Sequence, residues 1–460
     1  MLLAGALQAQ PHAQTEADSL LRVLPQIKAD TNRVKAWLRL GAYQVYKPGE
    51  FKANMDSAYG YAKAAEGLSQ ALRFAKGYQE SQRLLMQVLI ESKRIDALKA
   101  WLQRSKADKT KADLLLELGR YYLYKPAEYQ TDLDSAEDYV RQALDLNVRL
   151  EDEQGQIESL MRLGGVFSEK GKGEQSAHYY RQAHQRIGQL KDPLQRAGFW
   201  YQFGDSYTWS AVDIPGRIKA YEQALALYRQ LGKKEQEATT LKIIADMHRH
   251  QGQYAQSLRE LLEVLRIYKS VGFRNLHYTY DGLGLVYRLM GNHEQALRYA
   301  LNAIESAKAT ADTSQIDLFY SRVGATYRDL GQHQQALEIF QQLLRKQLER
   351  NTDLTWTGAH YHQIIRSMLA LNRPREALAF HQQTLHQYQP KNTIEGATIA
   401  FALGEVYLAL KEYAAAERYL LQALVEIKKK DYYWTHSLQI DISQQVAKLY
   451  MESGQYQKAH

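Results

Sequence analysis

Arginine is the residue type whose spacing first suggests chemistry in this sequence. Arg249, Arg288 and Arg328 recur at intervals close to forty residues, with Lys242, Asp246 and His250 around the first and Arg366 beyond the last. Guanidinium groups stacked at such a distance would hold carboxylates by charge-assisted hydrogen bonds. The row therefore has two readings, a docking surface for an acidic ligand or a solvated series with no partner. A second candidate is the aromatic run Phe199 to Trp209, which contains Tyr201, Asp205 and Trp209. It reads either as a ligand site or as a locally repacked core.

The residues offer no catalytic constellation. His293-Glu294 lacks the second histidine of a zinc-protease helix. His248 and His250 are two apart, as are His360 and His362, so each pair points to different helix faces. The histidines are expected at solvated helix positions. Gly282, Gly284 and Gly291 imitate a nucleotide-binding loop, but no strand precedes them. There is no Gly-x-Ser-x-Gly elbow and no phosphate loop. With no cysteine in the chain, disulfides, thiolate metal sites and cysteine nucleophiles are excluded. We expect no catalytic residue, no metal ligand and no cofactor, and the chain reads as a non-enzyme.

The 460 residues are 45% apolar and 24% charged, proportions of an ordered, soluble chain. Only 8 prolines and 28 glycines punctuate it, which favours long helices over many turns. No apolar run approaches the roughly 18 residues of a membrane span. The net charge of +8 is mild, and the longest basic run, Lys428 to Lys430, sits beside Asp431, so no nucleic-acid partner is expected. Tyrosine stands out, 33 against 10 Phe, and suits half-buried, wet surfaces and grooves.

Internal repetition supplies the elements that must position these groups. Leu40 to Ala58 and Leu118 to Ala136 align without a gap, with ten of nineteen residues identical. Within that displacement of 78 lies a period near 40. Small residues recur at Ala58, Ala97, Ala136, Ser176, Ser257, Ala296, Ala336, Ala377, Ala416 and Ala459, with Arg217 in the one deviant slot. Each period reads as two helices. Leu283, Val286 and Tyr287 make one apolar stripe, Gly291-Asn292 breaks it, and Ala296, Ala300 and Ala303 share a face of the second helix, flanked by Leu297, Leu301 and Ile304. Neither helix can bury its stripe alone, so the core must be completed by stacking.

On these residues the sequence resembles the tetratricopeptide repeat family. Glycine stands at the family's position 8 in Gly41, Gly119, Gly164, Gly204, Gly284, Gly324 and Gly404. Tyrosine stands at position 11 in Tyr122, Tyr207, Tyr287, Tyr327, Tyr407 and Tyr450, and glycine at position 15 in Gly171, Gly252, Gly291, Gly331 and Gly454. The resemblance covers about residues 30 to 460 and implies an all-α, right-handed superhelical solenoid of antiparallel helix pairs, with about eleven repeats. The array is expected as one continuous unit over 15–460, broken off in its last repeat, after a start at 1–14 that is a signal-peptide remnant or disordered. Two departures stand out. The repeats exceed the family's usual length of about 34 residues, and the closing proline is mostly absent. The family's groove positions put Tyr201, Asp205 and Trp209 in one repeat, Lys242, Asp246 and Arg249 in the next, and Arg288, Arg328 and Arg366 further on. The asparagine of the family's carboxylate clamp is replaced by Asp205, Asp246, Leu285 and Ala325.

The resemblance also bears on function. Leu2 to Leu7 followed by Gln8-Ala9-Gln10 looks like the end of a secretory signal. The stretch Ala17 to Gly41 resembles the entry to the sensory repeat array of bacterial membrane-bound histidine kinases. The expected function is recognition of a protein, a peptide (acidic if the arginines bind it) or another ligand, as the exported, periplasmic sensory region of a signal-transduction protein, with homodimerisation open. The alternative is a free-standing scaffold for protein partners, exported or cytoplasmic. An RNA-reading helical repeat is disfavoured, because position 5 wanders through unrelated residue types.

Overall fold

The computed structural model describes residues 14–46, 51–125, 130–206, 214–310, 312, 315–350, 357–387, 393–429 and 435–458. All longer regular elements among them are α-helices: α1 Gln14–Val23, α2 Thr31–Tyr46, α3 Phe51–Ala71, α4 Ala75–Glu91, α5 Ile95–Arg104, α6 Lys109–Leu123, α7 Gln130–Arg149, α8 Glu153–Glu169, α9 Gly173–Gln189, α10 Pro193–Ser206, α11 Ile214–Gln230, α12 Lys234–His250, α13 Tyr254–Ser270, α14 His277–Leu289, α15 His293–Ala309, α16 Ile316–Asp329, α17 His333–Arg350, α18 Thr357–Ala370, α19 Pro374–Gln387, α20 Thr393–Ala409, α21 Tyr413–Ile427 and α22 Thr435–Glu452. The all-helical solenoid architecture expected from the sequence is the one found. The chain divides into two compact units, one of residues 1–208, 215–241 and 310–314, the other of 209–214, 242–309 and 315–460.

Helices pair because of what ends them. After α14 the chain takes a left-handed turn at Gly291, φ 78°. The Gly291 amide donates to the Arg288 carbonyl at 3.0 Å and the Asn292 amide to that of Tyr287 at 2.9 Å. This Schellman arrangement satisfies the last carbonyls and reverses the chain within three residues. Gly171, Gly252 and Gly331 do the same, but Lys93, Asn372 and Lys411 hold the same conformation without being glycine.

A second recurring device sets the distance between paired helices. A Cβ added at Gly404 would come within 2.5 Å of Leu420, at Gly164 within 2.5 Å of Tyr180, and at Gly204 within 2.7 Å of Tyr221. Glycine is therefore the slot, and the bulky residue of the partner helix is the knob. Beside it lies a stacked aromatic pair. Tyr122 stacks on Tyr139, Phe167 on Tyr179, Tyr287 on Tyr299 and Tyr407 on Tyr419, with centroids 5.3 to 5.8 Å apart. Part of the tyrosine excess is thus repeat architecture; composition pointed only to wet grooves.

The expected stripes hold where they face a partner. Leu283, Val286, Ala296, Ala300 and Ala303 are buried, whereas Leu301 is 41% exposed and does not fill the flank predicted for it. Arg217 occupies the deviant small-residue slot, almost fully buried, and its Nε donates to the Gly204 carbonyl at 3.2 Å. Ser176 makes the matching bond to the Gly164 carbonyl in the preceding repeat.

The histidines correct the sequence reading. His248, His277, His360, His362 and His381 are all buried, not solvated. Each ring fills core volume, and in four of them a nitrogen meets a polar group on another helix: His248 meets Glu260 at 2.9 Å and His381 meets the Tyr361 hydroxyl at 2.6 Å. The two-apart pairs do diverge, with His360 meeting Gln347 and His362 meeting Glu405.

Candidate functional site

The first helices of successive repeats, α12 from Lys242 onward and then α14, α16, α18 and α20 of the second unit, carry a run of half-buried charges. On α12, Arg249 turns back on Asp246 of its own helix, with Nε donating at 3.0 Å, and His250 lies 3.6 Å from the same carboxylate. Burial works to raise the Asp246 carboxyl, but Arg249 and His250 outweigh it and hold it below the usual range. Lys242 lies one turn earlier, with its ammonium 5.5 Å from the Tyr278 ring centre. Burial pulls its amine down to about 8, opposed by Asp246.

From α14 onward the pairing runs between repeats. Asp281 of α14 accepts from Arg322 of α16 at 3.4 Å, and Arg288 of α14 donates to Asp329 of α16 at 2.8 Å. Asp329 is shared, since Arg328 beside it donates to its other oxygen at 3.0 Å. Arg328 also donates to Gln363 of α18. Glu405 of α20 is hydrogen-bonded to His362 at 2.7 Å and lies 3.8 Å from Arg366. The result is a lateral ladder across four consecutive first helices.

The ladder is not charge-balanced. Four cations, Arg288, Arg322, Arg328 and Arg366, meet three carboxylates, Asp281, Asp329 and Glu405. The excess gathers around Arg328, whose guanidinium is pushed below its ordinary value by burial first and by the charges of Arg366 and Arg288 as well. The first unit carries a counterpart on α4, α6 and α8. There Arg83, Arg120 and Arg162 meet Glu91, Asp113, Glu117 and Glu158, and Glu117 is held low by Arg120 and Arg162 against its own burial.

The sequence-derived candidates are therefore sorted unevenly. Arg288, Arg328 and Arg366 come together, linked through Asp329, Gln363 and Glu405. Arg249 belongs to a separate local cluster with Lys242 and Asp246, so the arginines do not form one unbroken row. None of the three spaced arginines is a solvated side chain without a partner. Tyr201 is a core residue, 4% exposed and edge-on to Tyr221, because the whole Phe199 to Phe203 stretch of α10 faces inward apart from Gln202. Asp205 accepts a 2.5 Å hydrogen bond from the Tyr221 hydroxyl, and burial carries its carboxyl up to about 6. Trp209 lies outside the described residues.

Sequence reasoning missed Asp281, Arg322, Asp329, Gln363 and Glu405. A signal existed for two pairs: Asp281–Arg322 and Arg288–Asp329 are each 41 residues apart, the repeat distance plus one. Among the described residues no group of three metal-binding side chains is found, and no helix is long and apolar enough to cross a membrane.

Comparison with known proteins places tetratricopeptide repeats in this chain. Residues 236–309 match one tetratricopeptide repeat family profile, and residues 320–352 and 399–431 match another. No curated protein matches the chain. Among solved structures it is similar to a signal transduction ATPase with numerous domains that has a tetratricopeptide repeat sensor, from Pyrococcus horikoshii. That match has 15% identity and a TM-score of 0.47, covering 78% of this chain and 53% of the other, so the chain spans about half of that protein. Aspartyl phosphate phosphatase F from Bacillus subtilis matches at 13% identity and a TM-score of 0.48, covering 87% of this chain and 94% of the other. NprR in complex with its cognate peptide NprX matches at 14% identity and a TM-score of 0.45, covering 67% and 88%.

Proposed function

We propose that this chain is a recognition module for a peptide or protein segment, and that α14, α16 and α18 carry its working surface. The observation that supports this is the ladder itself. Polar side chains from consecutive repeats are held in register, half-buried and bonded to one another, on the first helices. Fixed, partly desolvated charges cost stability unless paired, and they present a preorganised surface to an incoming segment. The test is selection from a random-peptide display library against the full chain, followed by hydrogen exchange of the chain with the enriched peptides. Protection should concentrate on α14, α16 and α18. Failure to enrich any peptide, or protection confined to other helices, would sink the reading.

We also propose that the module serves as the exported recognition region of a signal-transduction protein. The support is the Leu2–Leu7 segment with its following small residues. Cell fractionation with an antibody to the chain tests it. Recovery in the osmotic-shock or membrane fraction is expected, and recovery only in the cytosol would leave the scaffold reading in its place.

A further inference from the structure

Resting on that reading, we propose that the recognised segment is acidic, and that one of its carboxylates docks between the guanidinium groups of Arg328 and Arg366. These side chains belong to neighbouring first helices, and Arg328 of α16 reaches across to α18 at Gln363, one turn before Arg366. Their present partners leave hydrogen-bonding capacity unused. Arg366 is 36% exposed, and its nearest carboxylate oxygen, on Glu405, is 3.8 Å away, too far for a hydrogen bond. The other oxygen of Glu405 is already held by His362. Arg328 spends one nitrogen on Gln363, a neutral acceptor, and another on an Asp329 carboxylate that Arg288 also claims. Buried Nε of Arg288 has no hydrogen-bond partner among the described residues.

The electrostatics agree with the geometry. Arg288, Arg328 and Arg366 crowd one another, and between them only Asp329 and the distant edge of Glu405 supply negative charge. An arriving carboxylate would accept from both guanidinium groups, relieve their repulsion and saturate Arg366. A neutral segment would gain none of these, and a basic one would add to the repulsion. A docked carboxylate can come from an Asp or Glu side chain or from a chain terminus. The guanidinium chemistry is the same for both.

The test uses the full chain and a random-peptide library displayed with free C-termini. Enriched peptides are resynthesised as Asp-to-Asn and Glu-to-Gln variants and with amidated C-termini, and their affinities are measured by fluorescence anisotropy. The expected result is that removing one carboxylate weakens binding about tenfold, the scale of a charge-assisted contact. The same removal should have little further effect on Arg366→Gln or Arg328→Gln protein, each checked for parental helicity and melting. Sensitivity to amidation alone would identify a terminal carboxylate as the docked group, and sensitivity to the side-chain swaps a side-chain one. Enriched peptides whose affinity ignores every carboxylate, or whose carboxylate contributes equally in the parent and both variants, would overturn acidic docking and leave peptide recognition standing. Failure to enrich any peptide would remove both.

Discussion

At the scale of single residues, the clearest consequence concerns Asp205. Burial carries its carboxyl up to about 6, against the lowering effects of the Tyr221 hydroxyl and Arg217. An unfolded chain releases that proton near pH 4. Between about pH 4 and 6 the folded chain therefore holds a proton that the unfolded chain has lost, and stability falls as pH rises through this window. Asp205→Asn keeps an acceptor for the Tyr221 hydroxyl and removes the ionisation. Its melting temperature should match the parent near pH 4 and exceed it near pH 7; a difference that does not change with pH would refute the assignment. Little of this was legible beforehand. The sequence put Asp205 in a groove because its position in the repeat is a groove position. The knob at Tyr221, one helix away, decides that it is bonded and partly covered. The arginine spacing was legible, because a repeat distance is a property of the chain. Their partners were not legible, because several acids lie within reach of each in sequence and only the side-by-side placement of first helices selects Asp329 for Arg288.

The helices and their ends were the most readable level, because each device there is local. Periodicity, the glycine after the first helix and the small residue opening the second all act within about a dozen residues. What local reasoning overlooked is that five helix ends among the described residues, at Arg73, Lys93, Glu151, Asn372 and Lys411, use the left-handed turn without glycine. Lys411 sits at φ 61° between α20 and α21, where the Lys411 amide donates to the Leu408 carbonyl and the Glu412 amide to that of Tyr407. A side chain in that conformation costs on the order of 1 kcal/mol relative to glycine. Lys411→Gly should therefore stabilise the chain, less the entropy that glycine adds to the unfolded state, for a net gain of up to about 1 kcal/mol. Urea unfolding measures it, and a lower midpoint in the variant would show that Lys411 contributes more through contacts than its backbone costs. The buried histidines mark the opposite limit. A histidine on a helix reads as polar, yet the rings of His248, His360, His362 and His381 fill core volume, each meeting a polar group on another helix.

Within each of the two units, helix pairs touch mainly the pairs before and after them, so cohesion there is a sum of neighbour terms without a single centre. The glycine slots give this a mechanical meaning. Leu420 against Gly404, Tyr180 against Gly164 and Tyr221 against Gly204 are the same latch fitted with different bolts, and each latch closes within its own repeat. Load applied along the chain cannot be shared among latches in series, so each must bear it in full and the weakest yields first. Pulled from its two ends in a single-molecule instrument, the chain should lengthen in a staircase of small yields. Each yield frees about forty residues, on the order of 130 Å at full extension. A single rupture releasing the whole length would mean that the latches are tied together. A staircase would make the chain a spring that gives ground one notch at a time and can be rewound by the same notches.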